Sequence, residues 1–199
     1  FSSPTCVMSF GDNGNCVGYI VGEENRGMAN MFTMMNHARI SVGLEGVAIA
    51  ERAYQHAASY ALERVQSAAI GAKTRDSVTI INHPDVRRML LTMRATAEAS
   101  RAIIYRNVWA LDRAHALEDA EARAAAKGEA DLLTPISKAY STDIGVEAAS
   151  LGIQVYGGMG FVEETGVAQY YRDARIAPIY EGTNGIQALD LLGRKVLGS

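Results

Sequence analysis

Apolar residues recur at helical spacing through most of this chain, and the exceptions mark where its elements begin and end. Met28, Met31, Phe32, Met35, Ile40, Leu44, Val47, Ala48 and Ala50 form one stripe that continues through Tyr54, Ala57, Ala61 and Leu62. No proline interrupts it, which predicts one long helix from Gly27 to about Arg64. Gly71 to Asn82 is polar apart from Val78-Thr79-Ile80-Ile81 and reads as a connecting loop. His83-Pro84-Asp85 then opens a second helix, with proline at the first helical position and an early acid. Its stripe of Val86, Met89, Leu90, Met93, Ala97, Ile104, Val108 and Leu111 predicts a run to about Ala126, stopping near Gly128. Thr134-Pro135 reads as the N-cap and first position of a third helix. Ile136, Ala139, Tyr140, Ile144, Ala148 and Leu151 supply its stripe, and Gly157, Gly158 and Gly160 end it. A short helix over Thr165–Asp173, a turn over Pro178–Gly182 and a last helix over Asn184–Val196 complete the pattern. Only residues 1–24 differ. Two β-prone runs, Cys6–Phe10 and Cys16–Val21, flank Gly11-Asp12-Asn13-Gly14-Asn15, which predicts a β-hairpin too small to stand alone. The expected fold is all-α, an antiparallel up-down helical bundle with a short N-terminal β-hairpin.

Composition narrows the function classes. With 48% hydrophobic and 21% charged residues among 199, the chain reads as an ordinary globular domain. A net charge of −3 and the lack of a dense Lys/Arg patch argue against nucleic acid as partner. No segment approaches the roughly 18 apolar residues of a membrane helix. Two cysteines, Cys6 and Cys16, make no disulfide framework; reduced thiols are favoured over a bridge closing so small a loop. The four histidines are scattered without ligand spacing, so no metal is expected. The chain opens on Phe1, and its abrupt start reads as that of a piece of a longer protein.

The residues with chemical character admit plain readings. Glu181 lies between Tyr180 and Gly182 and suits a surface carboxylate as well as a base. Thr183-Asn184 suits a helix cap, and Gly157-Gly158 a helix end. Asn36 and Arg39 share one helix face. Arg64 sits where a cation favours a helix C-terminus. Arg172-Asp173 reads as a structural ion pair.

Taken together, Gln154-Val155-Tyr156-Gly157-Gly158-Met159-Gly160-Phe161, Tyr171-Arg172-Asp173-Ala174-Arg175-Ile176 and Ile179-Tyr180-Glu181-Gly182-Thr183 resemble the C-terminal signature of the flavin-dependent acyl-CoA dehydrogenases. The separations of Gln154 from Glu181 and of Arg39 from Arg64 agree with it. The resemblance covers almost the whole chain. It implies that residues 1–24 end the family's middle β-domain and that 25–199 form its C-terminal helical domain. The tail Gly185–Lys195 and Asn36-His37-Ala38-Arg39 lean toward the larger members, including the methylmercaptopropionyl-CoA type.

By that resemblance Glu181 is the base that takes the α-proton of an acyl-CoA thioester, while the β-hydrogen leaves as hydride to FAD. Some members place the base just before an Arg on the first long helix. Here that position is Ala38, which cannot accept a proton, so Glu181 is the family-compatible candidate. Asn36, Arg39 and Gly182 would meet the acyl-CoA. Arg64 would bind the FAD pyrophosphate, Gln66 would add a polar contact, and Gln154, Gly157 and Gly158 would meet the adenine dinucleotide. Thr183 and Gly185 would touch FAD near the base. Many relatives continue after Gln66 with Phe-Gly; this chain has Ser67-Ala68 and a longer insert. The resemblance further implies a homo-oligomer, dimer or tetramer, with FAD contacts crossing subunits. It implies an electron-transferring flavoprotein as acceptor, and a cytoplasmic or mitochondrial-matrix location. The chain by itself is expected to be inactive. Three alternatives stay open: an acyl-CoA oxidase using O₂, a non-catalytic relative binding DNA or protein, and a packing module in which Glu181 is a relic.

Overall fold

The computed structural model describes residues 6–198. They divide into two units, one ending at Met34 and the other running from Met35 onward. The division falls within the first helix, beyond the 24/25 boundary drawn from the sequence.

In the first unit, residues 6–24 form no strand, so the expected hairpin is not built; residues 1–5 lie outside the described residues. Its central turn does form, with Gly14 N donating to Gly11 O at 3.0 Å. An isolated pair of strands buries too little to hold register, and Val7 and Tyr19 are almost fully exposed. Cys6 and Cys16 are both exposed and form no disulfide. Asn30 Nδ2 donates to Val21 O at 2.9 Å, tying this segment to the start of the helix.

The second unit is the predicted helical bundle. Helix α1 spans Gly27–Glu63, matching the unbroken stripe. Its inner face is built from small residues, Gly43, Gly46, Ala50, Ala53, Ala57 and Ala61. They let backbones approach closely. A Cβ added at Gly46 would stand 2.2 Å from the carbonyl oxygen of Ser141, and one at Gly43 2.8 Å from that of Ser137. Met89, Leu90, Met93, Ala97, Ile144, Ala148 and Val155 pack on the same alanines to form the core.

Helix α2 spans Pro84–Ala116 and starts as predicted, with Pro84 in its first turn. It ends earlier than expected. Leu117 turns extended (ψ 139°), and Asp119 caps a new helix by accepting from Ala122 N at 2.7 Å. Arg123 Nη1 donates to the carbonyls of Leu117 and Glu118, at 2.9 and 2.6 Å, satisfying the acceptors of the turn between α2 and the new helix. The new helix, α3, spans Ala120–Tyr156. Gly128 and Pro135 therefore lie inside a helix instead of separating two. Proline in a helix interior removes a hydrogen bond and costs about 3 kcal/mol. Pro135 is fully buried, and a helix packed along its whole length offsets that cost. Thr134 uses its hydroxyl within the helix, donating to Ala130 O at 2.8 Å, and does not cap.

Beyond α3 come α4 (Gly158–Phe161), α5 (Val167–Ala174) and α6 (Asn184–Asp190). The last helix does not remain α-helical to Val196 as expected; Leu191–Val196 is a π-helical turn. Arg172 pairs with Glu163 at 3.5 Å, not with Asp173, whose carboxylate accepts from Gln169.

Candidate functional site

The structure gathers the predicted site residues, Asn36 apart, into two places. The first is a cavity of about 820 Å³ lined by Arg64, Gln66, Gln154, Gly157 and Gly158, among others. Two backbone features bring them together. Past the end of α1 the chain pairs with the insert: Ile80 N donates to Arg64 O at 2.8 Å, Gln66 N to Val78 O at 3.0 Å and Val78 N to Ser67 O at 2.9 Å. His83 Nε2 lies 2.7 Å from Gln66 O, which as a pure acceptor requires the proton on that nitrogen. Opposite, α3 ends at Gly157, whose φ of +60° and ψ of −138° suit only glycine. A Cβ added at Gly157 or Gly158 would meet nothing within 4 Å, so both present open backbone to the cavity. Tyr60 and Tyr156 stack in its wall, centroids 4.0 Å apart. Burial pushes the Tyr156 phenol upward from its ordinary pKa.

The second place is the turn that carries Glu181. Glu181 and Gly182 both adopt left-handed backbone, with φ of +55° and +84°. For a glutamate that conformation costs about 1–2 kcal/mol, so the surroundings must hold it. Arg39 Nε and Gln187 Nε2 each donate to Glu181 O at 3.4 Å, and Gln187 Nε2 also to Gly182 O at 3.0 Å. The positive φ favours glycine at 182, and a Cβ there would stand 2.7 Å from Gln187 Nε2, so a side chain would also displace the amide that holds the turn. Arg39 in turn pairs with Asp190 at 3.4 Å, both side chains over nine-tenths buried. On one flank Tyr180 donates to the Glu45 carboxylate, and burial together with that bond pushes the Tyr180 phenol up to about 12. On the other, Asn184 Nδ2 donates to Ala139 O, Thr142 Oγ1 and Asp143 Oδ1 at 3.1, 3.1 and 2.8 Å. The Glu181 side chain itself is partly buried, and no hydrogen bond to its carboxylate is found among the described residues.

Thr183 and Gly185 belong to this second place and do not line the cavity. Thr183 caps α6, its Oγ1 accepting from Ile186 N at 3.3 Å, while Gly185 is exposed. Asn36 and Arg39 are not brought to one surface: Asn36 is exposed, whereas Arg39 is 5% exposed and turned to the Glu181 loop.

Sequence reasoning passed over Gln187, Asp190 and Lys138. The first two act through folding that spacing cannot show. Lys138 had a signal. Thr134, Ser137, Lys138, Ser141 and Thr142 recur at helical spacing, a stripe that reads as a solvated face; all are buried. No group of metal-binding side chains occurs among the described residues.

Comparison with known proteins agrees with this geometry. A protein-family model described as "Acyl-CoA dehydrogenase, C-terminal domain" matches residues 25–197. The 3-methylmercaptopropionyl-CoA dehydrogenase of Ruegeria pomeroyi is 59% identical over 98% of this chain and 33% of its own length. An acyl-CoA dehydrogenase from Bacillus anthracis, solved in complex with FAD, superposes with a TM-score of 0.74 at 30% identity, over 89% of this chain and 30% of that one. Caenorhabditis elegans ACDH-11, solved in complex with C11-CoA, gives 0.75 at 26% identity, over 87% and 27%. The chain spans about a third of the length of the curated relatives it matches.

Proposed function

The chain belongs to the acyl-CoA dehydrogenase family, and from that premise we propose that the protein carrying it converts an acyl-CoA thioester to the 2-enoyl-CoA, with Glu181 as the base. The observation that carries this reading is the Glu181 turn. A left-handed glutamate, its carbonyl held by the buried Arg39 and Gln187, is a costly way to present an ordinary surface acid. The α-hydrogen of a thioester is a weak acid, and its removal needs a base fixed at one place. A carboxylate that accepts no hydrogen bond from the described residues has its lone pairs available for that proton. Arg39 serves by fixing the turn; Asn36, exposed on α1, is the residue offered to the acyl-CoA. Gly182, having no side chain, lets the backbone beside Glu181 approach the thioester.

The cavity suits FAD. Its donor set is a guanidinium, two carboxamides and the open backbone of two glycines, matched to a pyrophosphate and a nucleotide. Its volume lies within the range of cofactor sites. Arg64, Gln66, Gln154, Gly157 and Gly158 would hold the dinucleotide, Arg64 at the pyrophosphate. When bound, FAD supplies the acceptor for the β-hydrogen as hydride. Thr183 and Gly185, beside the base, are the residues of this chain nearest the reacting end. In this reading the protein is a homo-oligomer that shares the cofactor between subunits and passes its electrons to an electron-transferring flavoprotein. The substrate to try first is 3-methylmercaptopropionyl-CoA, the compound in the name of the 59% identical relative.

The test is Glu181→Gln in the full-length protein. Bound FAD should be retained and enoyl-CoA formation should fall by about 100- to 10,000-fold. Turnover within tenfold of the unaltered protein would remove Glu181 from the reaction.

A further inference from the structure

We infer that Lys138 is a positioning residue for the Glu181 turn, acting through Asn184; this rests on the reading of Glu181 as base. Lys138 lies in the middle of α3 and is fully buried. It forms no ion pair among the described residues, and its Nζ donates to Asn184 Oδ1 at 3.0 Å. Asp143 and Glu181 attract its charge, and Arg39 repels it. Burying an ammonium costs several kcal/mol, and an apolar side chain of similar volume fills such a site without that cost. Packing therefore does not explain a lysine here.

Its contact does. Asn184 is the first residue of α6, and its backbone N donates to Pro178 O at 3.1 Å, closing the turn that contains Glu181. The Asn184 amide has one carbonyl and one amino end. Lys138 can only donate and the Asp143 carboxylate can only accept, so a single orientation satisfies both. In that orientation the amino end also reaches Ala139 O and Thr142 Oγ1. The lysine thus selects the amide orientation that ties the turn to α3, while Arg39 and Gln187 hold the Glu181 carbonyl. Burial also lowers the Lys138 ammonium from its ordinary 10.5 to about 8, in keeping with a group placed there against its own solvation.

The test uses the full-length, FAD-loaded protein, with 3-methylmercaptopropionyl-CoA in ordinary form and deuterated at C2. Lys138→Met should lower kcat by about 10- to 100-fold with KM little changed, because a displaced base loses rate and not affinity. The isotope effect from C2 deuteration should grow, since proton removal becomes the slow step. Asn184→Ala should give the same signature, and the double variant should be no slower than either alone. If Lys138→Met does not fold, Asn184→Ala and Lys138→Gln carry the comparison. A lysine that serves stability alone would lower the melting temperature and leave the isotope effect in place; that result, beside an inactive Glu181→Gln, overturns this inference and spares the base. Turnover that survives Glu181→Gln overturns both.

Discussion

A buried lysine whose pKa is lowered makes stability depend on pH in a direction that can be worked out. In the unfolded chain Lys138 ionises at its ordinary 10.5, and in the fold burial brings it to about 8. Between those values the unfolded chain holds the proton and the fold has released it, so stability rises with pH across that window. At about 1.4 kcal/mol per pKa unit the full gain is about 3 kcal/mol. Lys138→Met removes the group and with it the gain. Other groups that titrate across the pH range of the measurement are common to both proteins and cancel in the difference. Urea unfolding of the protein and of Lys138→Met, followed by circular dichroism from pH 7 to 11, measures that difference. The unaltered protein should gain on the variant by about 3 kcal/mol as pH rises. A difference constant within about 1 kcal/mol would mean that the ammonium is solvated and would refute the burial on which the argument depends.

Three further outcomes are expected. Gly46→Ala drives a methyl group into the Ser141 carbonyl, backbone that has no rotamer to yield, and should cost about 3 kcal/mol in urea unfolding. Gly182→Ala meets both a positive φ and Gln187 Nε2, so it should cost about 2 kcal/mol and lower kcat as well; a stable variant with unaltered kcat would show the turn to be loosely held. Arg64→Ala in the full-length protein should weaken FAD binding by about 10- to 100-fold in a fluorescence titration, the loss expected of a charge-assisted bond to phosphate.

Where the chain follows local rules, its sequence is a good guide to the fold. The long α1, the Pro84 start of α2 and the glycines after Tyr156 all act within a turn or two of themselves. The α2–α3 boundary lies elsewhere than the sequence predicts because two local signals compete. Thr134-Pro135 carries the stronger propensity for a start, yet Asp119 makes the cap. What decides is burial of α3 along its whole length, a tertiary quantity. The hairpin expected over residues 1–24 does not form over the described residues 6–24 for the opposite reason: its propensities are sound, but its apolar side chains, Val7 and Tyr19 among them, stay exposed and burial does not fix a register. Family resemblance pointed to Arg64, Gln66, Gln154, Gly157 and Gly158 from separate stretches of chain, and one cavity collects them. It could not divide the labour between Asn36 and Arg39, because spacing puts them on one helix face and says nothing of what covers that face. Lys138 was hidden by its own chemistry, since a polar stripe at helical spacing describes a solvated surface equally well.

The buried polar stripe and the small-residue seam are two sides of one arrangement. Gly43 and Gly46 bring α1 against the carbonyls of Ser137 and Ser141. The same stretch of α3 supplies Lys138, Ala139, Thr142 and Asp143 to Asn184, and the same stretch of α1 supplies Arg39 and Glu45 to Glu181 and Tyr180. The turn that presents Glu181 is thus strung between two helices whose separation is fixed by the absence of side chains at two positions. A methyl group at Gly46 would push α3 away from α1 and draw those two sets of hydrogen bonds apart. The Glu181 carboxylate touches neither glycine, yet its position depends on them. A left-handed glutamate relaxes once its holders move, so the fall in turnover of Gly46→Ala should exceed what its loss of stability would give by unfolding alone.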